Sequence, residues 1–284
     1  MKIKKILSDL NELVMFKHSI FSLPFIFIAM VVSADGFFGW RLLILGVLAA
    51  VSARNFAMGF NRYADIDIDK ENPRTKDRPS VDGRLSKKQI FWFTMINALV
   101  FIITAAFINS LAFWLSFPIL VILGGYSLFK RFSSTAHLIL GLSLGLAPIA
   151  GVVAVEAKIT MWSVLLSLGV MFWVAGFDLL YSLQDLEYDK KKGLHSIPSI
   201  YGTKATLFIS KIFHSLTVLF WLLFVIEANL GFFAYLAVVI SAIILYKEHL
   251  IVNKDFTKID RAFFTLNGYL GIIFFIMIVL DKVF

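Results

Sequence analysis

Oxygen-bearing side chains recur at three- and four-residue spacings in two places, Asn61-x-x-x-Asp65-x-x-x-Asp69 and Asp178-x-x-Tyr181-x-x-x-Asp185-x-x-x-Asp189. On an α-helix positions four apart rise about 6 Å per step and drift roughly 40° per step, so each set predicts one stripe of oxygens. Two stripes facing one another would form a hard-oxygen cage for divalent cations. Mg²⁺ suits it, since this ion binds through a few carboxylates, retained water and substrate phosphates. A diphosphate carries about three negative charges, and carboxylates would repel it unless metal ions and basic residues intervened. Arg62, Arg74, Lys76 and Arg78 follow the first set, and Lys190, Lys191 and Lys192 follow the second. Around these polar ends lie long apolar runs rich in Phe, 30 in the chain, which suit a lipid tail. A diphosphate head on an isoprenoid tail fits both halves of that description.

The elements that must position these oxygens are membrane helices. Of 284 residues 59% are apolar and 16% charged, and mean hydropathy is +0.84, which places the chain among polytopic membrane proteins. β-barrel alternation is absent, so the predicted fold is all-α. A spanning helix needs about 20 apolar residues, and nine spans are expected near 14–34, 42–61, 90–109, 111–129, 138–155, 161–183, 205–227, 230–246 and 263–281. Lys and Arg number four in the N-terminal segment, with Lys17 at the start of the first span, eight in 62–88, two in 130–137, four in 184–204 and four in 247–261, so 22 of 27 fall on one side. By the positive-inside rule the N-terminus and both aspartate sets are cytoplasmic and the C-terminus is outside, in a cell inner membrane. The net charge of +8 is then mostly a topology signal, with no nucleic-acid partner implied.

The chain holds no cysteine, which removes thiol nucleophiles and thiolate metal sites. Residues 1–34 imitate a secretory leader, but Asp9 and Glu12 precede the apolar core, and a retained helix is expected. No linker divides the chain, so 1–284 reads as a single integral-membrane domain with an internal echo between 61–83 and 178–202. Asp65 and Asp69 recur as Asp185 and Asp189, and Pro79-Ser80-Val81-Asp82-Gly83 recurs as Pro198-Ser199-Ile200-Tyr201-Gly202.

Individual residues divide between chemistry and scaffold. Asp178 lies inside an apolar run, where an ionisable group is functional by default and faces the bundle interior. Asp178, Tyr181 and Asp185 share a face, whereas Asp67 lies about 200° around the helix from Asp65 and reads as a solvated acid. Arg54, about 10 Å deeper than Asn61 on the same face, either pairs with Asp178 or contacts a substrate anion. Lys17 and His18 are either interfacial caps of the first helix or ligands. Gly141-x-x-x-Gly145 and Gly124-Gly125 predict close helix packing, and Pro24, Pro118 and Pro148 predict kinks.

These residues resemble the UbiA family of intramembrane aromatic prenyltransferases. The resemblance rests on Arg54 through Asp65, continuing to Asp69 and Asn72-Pro73-Arg74-Thr75; on Tyr126, Lys130-Arg131, His137-Leu138 and Gly141; and on Asp178 through Asp189 with Gly193 and Ser196-Ile197-Pro198. The opening His18-Ser19-Ile20-Phe21-Ser22-Leu23-Pro24-Phe25 is similar to the branch acting on 4-hydroxybenzoate or related quinone precursors. The resemblance implies a nine-helix bundle around a central cavity and Mg²⁺-dependent transfer from a polyprenyl diphosphate to an aromatic hydroxy-acid acceptor in respiratory quinone synthesis. It implies Asn61, Asp65, Asp69, Asp185 and Asp189 as metal ligands. Arg62, Arg74, Arg78, Lys130, Arg131 and Lys192 would meet phosphate oxygens, Tyr181 would orient the diphosphate, and Arg54 or His18 would meet the acceptor carboxylate. The ring proton would go to Asp65 or to released diphosphate.

Three other functions compete with this one. A dihydroxynaphthoate acceptor of menaquinone synthesis would use the same chemistry. A CDP-alcohol phosphatidyltransferase would need an Asp-x-x-Asp-Gly-x-x-Ala-Arg pattern, which no aspartate here provides. A cation or lipid transporter would need ionisable residues continuing to the outer face, where Glu156 and Glu227 read as interfacial.

Overall fold

The computed structural model describes residues 2–15, 23–254, 259 and 265–284. Among these residues the regular structure is all helical. An amphipathic helix α1 (Lys2–Leu13) precedes α2 (Leu23–Ser33) and α3 (Trp40–Ala64). A short α4 (Ile66–Glu71) and a loop lead to α5 (Lys87–Ile108), α6 (Ser110–Gly125) and a 3-10 turn over Tyr126–Arg131. Then follow α7 (Ala136–Glu156), α8 (Met161–Ser182), a 3-10 turn at Leu183–Asp185, α9 (Leu186–Lys192), α10 (Ile197–Glu227), α11 (Phe232–Lys254) and α12 (Asn267–Val283).

Seven of these helices are long and apolar enough to cross a membrane, which makes the chain an integral membrane protein. They match the second to eighth expected spans. The first and ninth fall on α2, 11 residues, and α12, 17 residues, each beside residues outside the description. Helix starts follow local chemistry: Ser86 with Gln89, Thr160 with Ser163 and Ser196 with Ser199 each form a capping box that satisfies orphan backbone donors. The predicted proline kinks do not end helices, for α6 runs through Pro118 and α7 through Pro148.

The largest core lies where α2, α7, α8, α10, α11 and α12 meet. Phe25, Trp173, Trp221 and Phe274 are buried there with ring centroids 4.9 to 6.0 Å apart. Burial of large aromatics at such spacing holds four helices to one another. Gly141 and Gly145 let α7 and α8 touch, since a Cβ on Gly141 would lie 2.3 Å from the Met171 carbonyl oxygen. On the other side α3 packs along α5, and α1 is held by Arg84, which donates to Glu12 at 2.6 and 2.7 Å and to Asp82 at 2.6 Å.

Candidate active site

Both aspartate sets sit where a long helix breaks. The chain bends at Asp65 (φ −100°, ψ 13°) between α3 and α4, and at Asp185 (φ −98°, ψ 2°) between α8 and α9. Asp65 and Asp185 are therefore the N-cap residues immediately before short helices rather than points on one uninterrupted stripe, which corrects the expectation of a straight helix. The four-residue register survives in the first set because the Asp65 N–H still donates to the Asn61 carbonyl (2.9 Å) and the Asp69 N–H to the Asp65 carbonyl (2.8 Å).

Cations occupy the space around the carboxylates. Lys130 Nζ lies 2.5 Å from Asp65 Oδ2, and Arg131 donates to Asp65 at 3.4 Å and to the Ala64 carbonyl at 2.7 Å. Arg78 Nη1 reaches both oxygens of Asp69 at 2.7 Å. Arg74 forks onto Asp185 at 2.5 and 2.9 Å and donates to the Tyr181 hydroxyl at 3.1 Å. Asn61 donates to Asp65 at 3.0 Å. Burial pushes the Asp65 carboxyl above the usual carboxylate range against the pull of Lys130, while the hydrogen bond from Arg131 holds exposed Asp67 below it.

The two sets are joined to each other. Arg74 and Asn72, both in the loop after the first set, bind Asp185 of the second, Asn72 at 3.0 Å. Tyr188 donates to the Ile68 carbonyl at 2.6 Å, and Lys192 pairs with Glu71. The hard-oxygen cage itself is not formed: among the described residues no three His, Cys, Asp or Glu side chains gather closely enough to hold an ion. Basic side chains stand between the carboxylates instead. The donors are nonetheless the all-oxygen set that Mg²⁺ takes, so Asn61, Asp65, Asp69, Asp185 and Asp189 fit the ion by chemistry.

Deeper in the bundle is a cavity of about 230 Å³, lined mostly by apolar side chains and by Arg54, Tyr126 and Asp178. Arg54 and Asp178 do not pair. Arg54 donates to the Val14 and Met15 carbonyls at 3.3 and 3.2 Å, while Asp178 Oδ2 lies 2.7 Å from His137 Nδ1. Arg62 also turns to scaffold: it is buried and donates to Asn61 at 2.9 Å and the Leu13 carbonyl at 3.4 Å. Both arginines thus cap the end of α1, whose last carbonyls have no intrahelical partner. Lys17 and His18 lie outside the described residues.

Residues 22–278 match the model of the UbiA prenyltransferase family. The chain belongs to this family. Among curated relatives, it is 29% identical over 256 residues to a 4-hydroxybenzoate octaprenyltransferase of Francisella tularensis subsp. novicida, covering 90% of this chain and 89% of that one. It is 28% identical to the enzyme of the same name from Aromatoleum aromaticum, covering 90% and 86%. Among solved structures, a UbiA homolog from Aeropyrum pernix superposes with a TM-score of 0.84 at 32% identity, covering 93% of this chain and 98% of the other. A UbiA homolog from Archaeoglobus fulgidus bound to DMAPP and Mg²⁺ shares the fold with a TM-score of 0.78 at 18% identity, covering 97% and 99%. Family members are helical membrane bundles, as this chain is.

Asn72 joins the site through Asp185, and its one signal in the sequence is the Asn72-Pro73-Arg74 run, in which it precedes a turn. His137 belongs to the family pattern, and nothing in its spacing points to Asp178, 41 residues away.

Proposed function

We propose that the protein transfers a polyprenyl group from a polyprenyl diphosphate to an aromatic hydroxy acid of the 4-hydroxybenzoate type, in quinone synthesis at the cytoplasmic side of a cell inner membrane. The observation that carries this reading is the joining of the two aspartate sets by Arg74 and Asn72 beside an apolar cavity that contains one cation and one carboxylate. The names of the curated relatives support the acceptor class, and the Archaeoglobus homolog binds a prenyl diphosphate together with Mg²⁺.

Lys130, Arg131, Arg74 and Arg78 exchange carboxylate partners for diphosphate oxygens, because guanidinium and ammonium groups neutralise either anion with similar geometry. Lys192, paired with Glu71 at the rim, adds a cation there. The Tyr181 hydroxyl, held by Arg74, steers the diphosphate. Asn61, Asp65, Asp69, Asp185 and Asp189 would hold Mg²⁺, which would supply charge to stabilise the departing diphosphate. Arg54 receives the acceptor carboxylate, and the apolar cavity wall keeps water from the allylic cation. The allylic C–O bond breaks with its electrons on diphosphate, a ring carbon bonds to the allylic carbon, and the ring loses a proton.

The test is product analysis of membranes containing the protein, supplied with Mg²⁺, a long polyprenyl diphosphate and either 4-hydroxybenzoate or a dihydroxynaphthoate. The expected result is a prenylated benzoate, lost with EDTA and restored by Mg²⁺. A prenylated naphthoate alone would move the acceptor to menaquinone chemistry, and no prenylated product would refute the reading.

A further inference from the structure

We infer that Asp178, held in place by His137, accepts the hydroxyl hydrogen of the aromatic acceptor, so that the acceptor lies with its hydroxyl toward α8 and its carboxylate toward Arg54. This rests on the aromatic prenyl-transfer reading above and assigns His137 as a positioning residue.

Asp178 is carried by an apolar helix, where a carboxylate must be compensated. Among the described residues its hydrogen-bond partner is His137, whose Nδ1 lies 2.7 Å from Oδ2. An ionised carboxylate only accepts, so the imidazole N–H donates. That leaves Oδ1 for a ligand in the cavity that Asp178 lines. The pair is a built contact. Gly141, one turn after His137, allows α7 to approach α8 so closely that a Cβ there would lie 3.2 Å from the Cβ of Ala175, itself one turn before Asp178. His137 is buried, with 5% of its surface exposed, and its Nε2 has no partner, so the ring is locked by packing and by this one hydrogen bond.

The other polar groups of the cavity, Tyr126, Ser143 and Arg54, decide which end of the acceptor meets Asp178. The Tyr126 hydroxyl adds no positive charge to draw a carboxylate, and Ser143 spends its hydroxyl on the Ile139 carbonyl. Arg54 is cationic and its buried Nε has no partner. A carboxylate placed against Asp178 would meet a like charge in a low-dielectric wall, whereas Arg54 attracts it. A hydroxyl is the donor that an acceptor-only carboxylate requires. As the ring carbon beside the hydroxyl-bearing carbon bonds to the allylic carbon, positive charge spreads to the phenolic oxygen. Its proton passes to Asp178, giving a neutral dienone. When the ring C–H proton leaves to the released diphosphate, Asp178 returns its proton to the oxygen, so one proton is released per turnover.

The test uses the full-length protein in membranes with Mg²⁺ and polyprenyl diphosphate. A para-hydroxy aromatic acid serves as acceptor and its methyl ether as competitor. The wild type should bind the ether at least about tenfold more weakly, because a site built for a hydroxyl rejects an analogue that cannot donate. His137→Ala should raise the acceptor KM roughly tenfold and bring the preference for hydroxyl over ether close to one, with the KM for polyprenyl diphosphate unchanged. His137→Asn, which can present an amide N–H near the position of Nδ1, should restore the preference. Asp178→Asn should lose it together with turnover. Wild-type preference retained in His137→Ala, or a shift in the diphosphate KM instead, overturns the inference while leaving prenyl transfer intact. If His137→Ala does not fold, retained preference in Asp178→Asn overturns it equally. A wild type that prenylates no aromatic acid overturns the functional reading, and this inference with it.

Discussion

The two aspartate arms share a backbone and differ in surroundings. Asp65 and Asp185 have nearly the same φ and ψ, and Gly83 and Gly202, at matching places downstream, both have positive φ (88° and 79°). Such angles favour glycine, which lacks the Cβ that makes them costly. In the first arm, however, Asp65 and Asp69 are buried, 1% and 4% exposed, and Arg78 of the same arm grips Asp69. In the second arm Asp185 is more open and is gripped by Arg74, which belongs to the first. The first arm thus satisfies Asp69 from within and takes Lys130 and Arg131 from the turn after α6 for Asp65, whereas the second is completed by the first. One local geometry serves a more buried pair on one side and a more open pair on the other.

The largest expected effect would show whether the arms are equal in chemistry. Asp65→Ala and Asp185→Ala should each reduce prenyl transfer roughly 100-fold or more in the product assay, since each removes a carboxylate of the proposed metal and phosphate site. If only one arm mattered, the proposal of a shared metal and phosphate site would fail. Stability should separate the arms. Asp69→Ala leaves the Arg78 guanidinium without its buried partner and should cost about 3 kcal/mol, whereas Asp185→Ala breaks a more solvated pair and should cost about 1 kcal/mol. Denaturation in detergent measures both, and equal losses would contradict the contrast in burial.

Smaller changes sharpen the link between the arms. Arg74→Lys keeps the charge but loses the two-pronged contact to Asp185, so turnover should fall roughly tenfold with little change in melting temperature. Asp67→Asn should change turnover less than about twofold, because Asp67 is exposed and meets Arg131 from the outside. Damage as severe as that of Asp65→Ala would break the distinction between the two faces of the arm. Asp67 also supplies a pH test. Its folded pKa is depressed, so its contribution is present above the ordinary value of 3.8 and lost as pH falls through the lower folded value. The melting difference between wild type and Asp67→Asn should therefore close on acidification, and a difference that widens would reverse the sign.

Hydropathy and charge made the helical class and the middle seven spans legible, because water and hydrocarbon sort residues locally along the chain. The spacing of Asn61, Asp65 and Asp69, and of Asp185 and Asp189, marked the oxygen-rich ends for the same reason: helical periodicity is a local property. Partner choice was not legible. Arg54 could have met Asp178 and Arg62 a phosphate, but both turn to carbonyls at the end of α1, and Asp178 goes to His137. Those choices depend on which helices touch. Gly141 brings α7 against α8, and the loop holding Asn72 and Arg74 crosses to Asp185. Sequence alone determined that carboxylates and cations gather at the ends of apolar helices. Tertiary structure decided which cation holds which carboxylate, because in a low-dielectric bundle a pair gains its strength only at contact distance, and packing sets that distance.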